Sequence, residues 1–139
     1  MITEPTVVLD ASAVLAWVLN EKGANTVARM LPVAVLPVSA LVETLYRAVE
    51  KGHRQTVDEL HANILAMGLE VEPAQEADAD RAATLIIESR RKATRQQPGT
   101  LSLGDGLCLA TAERLELPVT GGDQHWATMD LSVTFLPFR

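Results

Sequence analysis

The sequence predicts an α/β fold in which helices cover both faces of a central parallel sheet. Short apolar runs rich in β-branched residues alternate with longer segments of helical periodicity, and this alternation favours a parallel sheet. The chain has 139 residues, of which 47% are hydrophobic, which suits a single domain spanning residues 1–139. The sequence shows no repeat, low-complexity tract or linker that would divide this domain.

Prolines and glycines separate the predicted elements in the first half of the chain. Residues 6–9 form a strand, and residues 13–19 form a helix with Ser12 as its N-cap. The following elements are a helix over 25–31 ended by Pro32, a strand over 33–36, a helix from the N-cap Ser39 to residue 51, a helix over 56–67 and a strand over 69–72.

The second half continues the alternation. Residues 75–92 form a long helix whose apolar side chains recur at helical spacing, and a polar loop with Pro98 and Gly99 follows. The remaining elements are a helix from Ser102 to residue 115, a strand over 118–120, a helical turn at 125–127 and a strand over 132–136.

Composition excludes several classes of protein. The formal net charge of −6 argues against a protein that coats nucleic acid without specificity. Cys108 is the single cysteine, so an intrachain disulfide is excluded, which fits a reducing cytoplasm. The sequence has no apolar run approaching the roughly 20 residues of a membrane helix and no cationic signal-peptide start. We therefore expect a cytoplasmic domain with no membrane partner.

Four carboxylates stand at strand ends or helix starts. Asp10 interrupts the apolar stretch VVLDASAVLAWVL directly after the first strand, and Asp123 follows the strand at 118–120 and two glycines. Glu43 and Asp105 lie near the starts of predicted helices. In a parallel α/β sheet these positions share one edge, where ligands bind. We call these four residues the acidic rim.

Each acid also has a simpler interpretation. Asp105 completes a capping box with Ser102, Asp123 suits a turn after glycines, and Asp10 suits an N-cap. Glu43 suits a solvated helix face, although the residues around it are apolar. These explanations are independent of one another, whereas a shared functional site accounts for all four acids together.

Clustered carboxylates require a compensating charge. Two unit charges about 4 Å apart repel by about 4 kcal/mol at an effective dielectric of about 20. Oxygen ligands without a pattern of cysteine or histidine favour a hard cation, Mg²⁺ or Mn²⁺. A hydrated divalent ion of this kind is suited to phosphate chemistry.

Three segments together resemble the PIN-domain nucleases, in particular the VapC-type toxins of toxin–antitoxin pairs. They are VVLDASAVLAWVLNEKG, PVSALVETLYRAV and LSLGDGLCLATAERLELPVTGGDQHW. The resemblance covers the whole chain. It implies a three-layer α/β/α fold and a Mg²⁺- or Mn²⁺-dependent endoribonuclease whose acidic site matches Asp10, Glu43, Asp105 and Asp123, with Asp10 and Asp105 as the main metal ligands. It also implies a cognate antitoxin that binds and blocks the cleft. The toxin is expected to form a homodimer, which can be part of a higher toxin–antitoxin assembly.

The chain departs from the family pattern at one position. Many relatives carry Ser or Thr two residues before the last acid, where this sequence has Gly121, and Thr120 stands one place earlier. Any contact that the family hydroxyl makes is therefore in question here.

The expected reaction is hydrolysis of an RNA phosphodiester by metal-activated water, leaving 5′-phosphate and 3′-hydroxyl ends. Glu43 and Asp123 either orient the water or hold a second ion. The segment SRRKATRQQ supplies Arg90, Arg91, Lys92 and Arg95 as candidate RNA-phosphate contacts, although cations also suit a solvated helix C-terminus.

Other functions are considered beside this one. A phosphatase or phosphotransferase with Asp10 as nucleophile usually requires a second acid two residues later, where Ser12 stands. A PIN-like domain acting in RNA processing, or a non-catalytic module that binds RNA or protein, is the alternative to a toxin. The non-catalytic module would be favoured by loss of a main metal acid, and both acids are retained.

Overall fold

A computed structural model describes residues 4–139, so Met1, Ile2 and Thr3 of the predicted domain lie outside the described residues. Its sheet has five strands, all parallel, in the spatial order β3-β2-β1-β4-β5. The strands are β1 (Val7–Leu9), β2 (Ala34–Pro37), β3 (Glu70–Glu72), β4 (Val119–Gly121) and β5 (Phe135–Pro137). The predicted central parallel sheet is confirmed.

Six α-helices and two short 3-10 helices connect the strands. The α-helices are α1 (Ala11–Val18), α2 (Ala24–Met30), α3 (Val38–Glu50), α4 (Val57–Leu65), α5 (Glu76–Lys92) and α6 (Leu103–Leu115). The 3-10 helices span Leu31–Val33 and Gln124–Thr128. Every strand except the last therefore leads into at least one helix, as the alternating sequence pattern predicts.

The pleat of β1 distributes its side chains between two apolar cores. Leu9 packs into a core that also contains side chains of α1 to α4, such as Leu41. Val8 points to the opposite face, where it packs with Leu109 of α6 and the buried ring of Trp126. The three-layer α/β/α architecture is confirmed, and Trp126 is 1% exposed.

Strand order changes direction between β1 and β4. From β1 the chain proceeds outward through β2 and β3, then returns to β4 on the other side of β1. The C-terminal ends of β1 and β4 consequently face the crevice in which parallel α/β proteins bind ligands. Asp10 and Gly122 directly follow these two strands.

The sequence analysis assigned two N-caps incorrectly. Asp10, not Ser12, caps α1, because its carboxylate accepts a hydrogen bond from the Ser12 backbone N–H at 3.3 Å. Helix α3 has Pro37 as its N-cap in place of Ser39, because β2 extends through Pro37 and leads directly into the helix. The capping box at the start of α6 confirms the pattern of Ser102 and Asp105, and the structure shows a second capping box at the start of α4.

The last strand begins later than predicted. β5 is Phe135–Pro137, whereas the sequence pattern favoured residues 132–136. The Ser132 N–H donates to the Glu113 carboxylate at 2.8 Å rather than to a sheet neighbour. Pairing with β4 instead places Phe135 opposite Val119.

Two buried or half-buried ion pairs hold α5 against α6 and its surroundings. Arg114 of α6 bonds the carboxylate of Asp78, which is 2% exposed, at 2.8 Å. Arg81 of α5 bonds Glu113 of α6 at 2.6 Å. These contacts fix the long, largely polar α5 along its N-terminal half, so that its C-terminal turn reaches the edge of the sheet where the acidic rim lies. Within residues 4–139, no helix combines the length and apolar character that crossing a membrane requires.

Candidate metal-dependent active site

Asp10 is the most deeply buried carboxylate of the acidic rim. The residue is 6% exposed, and its backbone N–H donates to the Thr120 carbonyl of β4 at 2.9 Å. Its Oδ2 accepts hydrogen bonds from the Ser12 N–H and, at 2.9 Å, from the Ser12 hydroxyl. Among residues 4–139, no ion pair includes Asp10. A buried carboxylate without a cationic partner is an unfavourable arrangement that a bound cation relieves.

The environment of Asp10 disfavours its charged form. Burial, and next the charge of Asp105, raise its pKa to about 6, while the two bonds from Ser12 lower it and the charge of Glu43 raises it further. Asp10 therefore changes its protonation near neutral pH unless a cation is supplied. The charges of Asp105 and Glu43 therefore act on the Asp10 carboxylate.

Asp105 occupies the first turn of α6 and has two structural bonds of its own. Its carboxylate accepts from the Ser102 N–H at 3.0 Å, and its backbone N–H donates to the Ser102 hydroxyl at 3.1 Å. Burial raises its pKa, the Ser102 bonds lower it, and the charge of Asp123 raises it. The capping interpretation is thus correct, and it leaves the second carboxylate oxygen of Asp105 without a bond to residues 4–139.

Glu43 reaches the acidic rim from α3. Its Oε1 lies 3.6 Å from the position that a Cβ on Gly104 would occupy, so the carboxylate sits against the residue that precedes Asp105. Its Oε2 is 4.0 Å from the Arg47 guanidinium, and the side chain is 25% exposed. Glu43 is accordingly turned toward α6 and is not fully solvated.

Asp123 forms the exposed end of the acidic rim. Its Oδ1 accepts a hydrogen bond from the His125 N–H at 2.9 Å, which caps the 3-10 helix Gln124–Thr128. The turn interpretation of Asp123 is therefore correct. Its charge acts on Asp105, so the structure arranges the four predicted acids as a connected series of carboxylates.

Cys108 lies beneath this series. The thiol is fully buried and donates to the Leu9 carbonyl at 3.9 Å. Burial raises its pKa well above the usual value, and the charges of Asp10, Asp105 and Glu43 add to the effect. The thiol is therefore neutral, and the charges of the same three carboxylates act on it.

The donor set fits a hydrated hard cation. Within residues 4–139, no three Asp, Glu, His or Cys side chains are grouped closely enough to enclose an ion by themselves. Mg²⁺ is usually bound through one or two carboxylates and retains several waters. Asp10 and Asp105 supply two carboxylates of that kind, and the unpaired burial of Asp10 is the feature that a cation would relieve.

Gly121, the departure from the family pattern, has a steric cause. A Cβ at this position would lie 2.9 Å from Cζ3 of the buried Trp126 ring, closer than side chains tolerate. Thr120 is buried on the opposite face of β4, and its hydroxyl has no hydrogen-bond partner among residues 4–139. Neither residue places a hydroxyl at the usual family position. The Ser12 hydroxyl is instead the one that accepts from the backbone N–H of Gly122 at 2.9 Å.

The basic segment lies at the end of α5. Arg90, Arg91 and Lys92 form its last turn and are exposed, and Arg95 is exposed in the following loop. Ser89 of the same turn lies 3.0 Å from His125, two residues beyond Asp123. The segment therefore adjoins the acidic rim, as its sequence position suggested, although none of its four cations forms an ion pair with residues 4–139.

Two residues at this edge were missed by the sequence analysis. Arg139 lies over Gly122, so that a Cβ there would be 2.7 Å from its Nη2, and its guanidinium is 5.0 Å from the Phe138 ring centroid. His125 was assigned no role, yet its ring bonds Ser89 and packs on Gly99. Both contacts join segments far apart in sequence, and no local pattern signals them.

The fold and the acidic rim define an α/β protein with a carboxylate site at the switch point of a parallel sheet. The family model of the PIN domain matches residues 7–130, a range that includes all four acids, and the chain belongs to the PIN domain family. A comparison with curated protein sequences gives no match.

Solved structures with the same fold include a toxin and a toxin–antitoxin complex. VapC20 of Mycobacterium tuberculosis, described as a sarcin-ricin loop cleaving toxin, has a TM-score of 0.67 at 15% identity, covering 93% of this chain and 99% of that one. VapBC2 of Rickettsia felis, bound to a promoter DNA fragment, gives 0.69 at 13% identity, with coverages of 95% and 98%. FitAcB of Neisseria gonorrhoeae gives 0.65 at 18% identity, with coverages of 93% and 96%. At these identities the likeness establishes the shared fold.

Proposed function

We propose that this protein is a Mg²⁺- or Mn²⁺-dependent endoribonuclease and the toxin of a toxin–antitoxin pair. The observation that carries the proposal is Asp10, a buried carboxylate without a cationic partner, at the switch point and beside Asp105. Membership of the PIN domain family and the fold shared with VapC20 support the nuclease assignment. The toxin assignment rests on the fold shared with toxin–antitoxin proteins.

The proposed roles follow from burial and hydrogen bonding. Asp10 and Asp105 hold the cation with the oxygens that Ser12 and Ser102 leave free, and these serine bonds fix the two carboxylates in orientation. The bound ion would supply an activated water and offset the charge of the phosphate. Glu43 and Asp123, at the two ends of the acidic rim, orient the water or hold a second ion.

RNA binding requires cations around this acidic centre. Arg90, Arg91, Lys92 and Arg95 adjoin the Asp123 end of the acidic rim through α5. Arg139 lies directly over Gly122, whose N–H bonds the serine that holds Asp10. We infer that Arg139 contacts an RNA phosphate next to the cation site, because its guanidinium forms no ion pair with residues 4–139.

The proposed protein partner is a cognate antitoxin. An open groove of about 400 Å³ between α3 and α6 runs past Glu43, and the apolar residues along it include the exposed Val42, Tyr46 and Leu103. An apolar groove beside the catalytic acids suits a protein segment that covers them. The neighbour from Klebsiella pneumoniae is described as a toxin–antitoxin complex, and VapBC-5 of Mycobacterium tuberculosis is described as a member of a family of toxin–antitoxin systems. A homodimer remains a prediction from the family resemblance.

The decisive experiment compares RNA cleavage by purified wild-type protein and Asp10→Asn. Asn retains the size and the capping ability of Asp10 but removes its charge. We expect Mn²⁺-dependent cleavage by the wild type, loss of cleavage in EDTA, and at least a roughly hundredfold loss in the variant, at the upper end of the usual effect of altering a metal site. Full activity of folded Asp10→Asn would refute the proposal. Metal-independent RNA binding without cleavage would indicate the non-catalytic module.

A further inference from the structure

The buried hydroxyl of Ser89 joins three segments of the chain. Ser89 lies in the last turns of α5 and is 0% exposed. Its Oγ accepts a hydrogen bond from the Leu101 N–H at 2.9 Å and lies 3.0 Å from Nε2 of His125. One hydroxyl thus connects the end of α5, the end of the loop before α6, and the 3-10 helix after β4.

The donors and acceptors of this group determine the state of His125. Ser89 has a single hydroxyl hydrogen, and Nε2 of His125 is the only acceptor within hydrogen-bond distance of it among residues 4–139, so the Ser89 hydroxyl donates to Nε2. The ring proton then resides on Nδ1, which lies 3.3 Å from the Thr128 hydroxyl oxygen. Thr128 in turn donates to the His125 carbonyl at 2.7 Å. Every hydrogen in the group has an acceptor in this one arrangement.

The ring of His125 also contacts the loop directly. A Cβ on Gly99 would lie 2.9 Å from Cγ and 3.0 Å from Nδ1 of the ring, so only glycine allows the loop to approach this closely. His125 therefore holds the loop at two points, Gly99 by contact and Leu101 through Ser89. The loop that it holds, residues 93–102, carries Arg95.

Both ends of this connection reach the acidic rim. The His125 N–H donates to the carboxylate of Asp123 at 2.9 Å. Leu101 precedes Ser102, whose N–H and hydroxyl both bond Asp105. The connection Asp123–His125–Ser89–Leu101–Ser102–Asp105 therefore spans the two segments that supply Asp123 and Asp105.

We propose that His125 is a positioning residue that holds the loop 93–102 against the acidic rim and so fixes Asp105 relative to Asp123. The inference rests on the proposed function, because the position of these carboxylates matters there for binding a cation. Polar groups that orient metal ligands typically affect metal affinity by about 10- to 100-fold. The effect of His125 is exerted through Ser89 and Leu101 and requires no contact of its ring with the ion.

Three substitutions separate the role of the ring nitrogen from that of the ring. His125→Phe keeps a ring against Gly99 but removes the acceptor for Ser89. His125→Gln replaces Nε2 with a side-chain oxygen at a similar reach, whereas His125→Asn reaches only as far as Nδ1. Thr111→Val is the matched control, because it removes another buried hydroxyl, one that bonds only the Leu107 carbonyl within α6.

Two readouts are measured on each variant, with thermal unfolding as the measure of stability. The first is amide hydrogen exchange at Leu101 in metal-free protein, and the second is Mn²⁺ affinity by calorimetry. We expect His125→Phe and His125→Asn to accelerate exchange at Leu101 by about tenfold, as loss of one buried hydrogen bond predicts, and to weaken Mn²⁺ binding by about tenfold or more. His125→Gln should restore both values to within about threefold of wild type, and Thr111→Val should alter stability alone.

The outcomes distinguish this inference from the function on which it rests. If His125→Phe lowers stability as Thr111→Val does, with Leu101 exchange and Mn²⁺ affinity unchanged, His125 is a packing residue and the inference is wrong. If Leu101 exchange accelerates while Mn²⁺ affinity is unchanged, His125 holds the loop without positioning the acids, which also overturns it. If the wild type binds no Mn²⁺, the proposed function fails, and the positioning of a cation site fails with it. Unchanged Leu101 exchange in His125→Phe would then separately refute the role of His125 in holding the loop.

Discussion

The hydroxyl of Ser12 accepts a hydrogen bond from the backbone N–H of Gly122 at 2.9 Å, beyond the C-terminal ends of the paired strands β1 and β4. The same hydroxyl donates to the Asp10 carboxylate at 2.9 Å. One side chain therefore couples the ends of the two central strands to the carboxylate that stands between them. This coupling fixes one oxygen of Asp10 and leaves burial and the neighbouring negative charges as the factors that control its protonation.

The first prediction concerns the pH dependence of stability without metal. The pKa of Asp10 is about 6 in the folded protein against 3.8 in the unfolded chain. Between these values Asp10 binds more protons in the folded state, so its contribution to the free energy of unfolding should fall as pH rises from about 4 to about 6 and level off above. The loss amounts to something on the order of 2–3 kcal/mol. Urea titrations in EDTA at a series of pH values measure it.

Asp10→Asn removes this titration while retaining an N-cap. The variant should lack the part of the decline between pH 4 and 6 that Asp10 causes, and its metal-free form should exceed the wild type in stability at pH 8. If the free energy of unfolding of the two proteins depends on pH in the same way, burial of the Asp10 carboxylate does not destabilise the metal-free protein as predicted.

The second prediction concerns stabilisation by a cation. An ion that binds only the folded state at about 100 times its dissociation constant adds about 2.7 kcal/mol. Mn²⁺ should therefore raise the melting temperature of the wild type, and Asp105→Asn should reduce this increase. Asp58→Asn, which alters an exposed acid in the first turn of α4, is the control and should retain the full increase. Equal responses in all three proteins would argue against a cation site at Asp105.

The third prediction tests Arg139 as a phosphate contact. In an Asp105→Asn background, Arg139→Gln should weaken RNA binding and flatten the slope of log affinity against log salt by about 0.7, the value for one single-strand phosphate contact. Arg29→Gln is the control, because Arg29 lies in the last turn of α2 and so toward the start of β2, at the opposite edge of the sheet. An effect of equal size in the control would mean that Arg139 contributes only through the net charge of the protein and not through a specific phosphate contact.

The fourth prediction applies the same measurement to the end of α5. Replacing Arg90, Arg91, Lys92 and Arg95 together by Gln should flatten the salt slope by about 0.7 for each phosphate contact that is lost. If these residues only form a solvated helix end, their replacement should instead change the free energy of unfolding by a few tenths of a kcal/mol. Binding curves that remain parallel, with equal affinity across the salt series, would establish that second interpretation.

The fifth prediction concerns Gly121 and Trp126. Gly121→Ala should destabilise the protein by about 1–3 kcal/mol, because the new methyl group would meet the Trp126 ring at 2.9 Å. In a Trp126→Phe background the smaller ring leaves room, so the same substitution should cost less. A double-mutant cycle of urea unfolding measures this coupling. If the destabilising effects of Gly121→Ala and Trp126→Phe are additive, contact with the Trp126 ring is not the reason that position 121 requires glycine.

The sequence predicted most of the fold because its signals are local. Proline, glycine and helical periodicity define where the elements begin and end, and the Ser102–Asp105 capping box lies within one helical turn. The placement of Asp10 at the end of a buried strand likewise required only the run VVL before it. These features hold whichever strands become neighbours, so a single sequence suffices to predict them.

The tertiary structure decided which of these segments meet. Return of the chain to β4 beside β1 brings Gly122 to Ser12, although they are 110 residues apart. His125 at Ser89 and Arg139 at Gly122 depend on the same packing, and neither contact has a signature in the residues around it. Local sequence determines the conformation of each segment, whereas contacts between distant segments form only when the strands pair and the two cores pack. The sequence by itself therefore determined the elements and the acids, and strand order and core packing decided how the site is assembled around them.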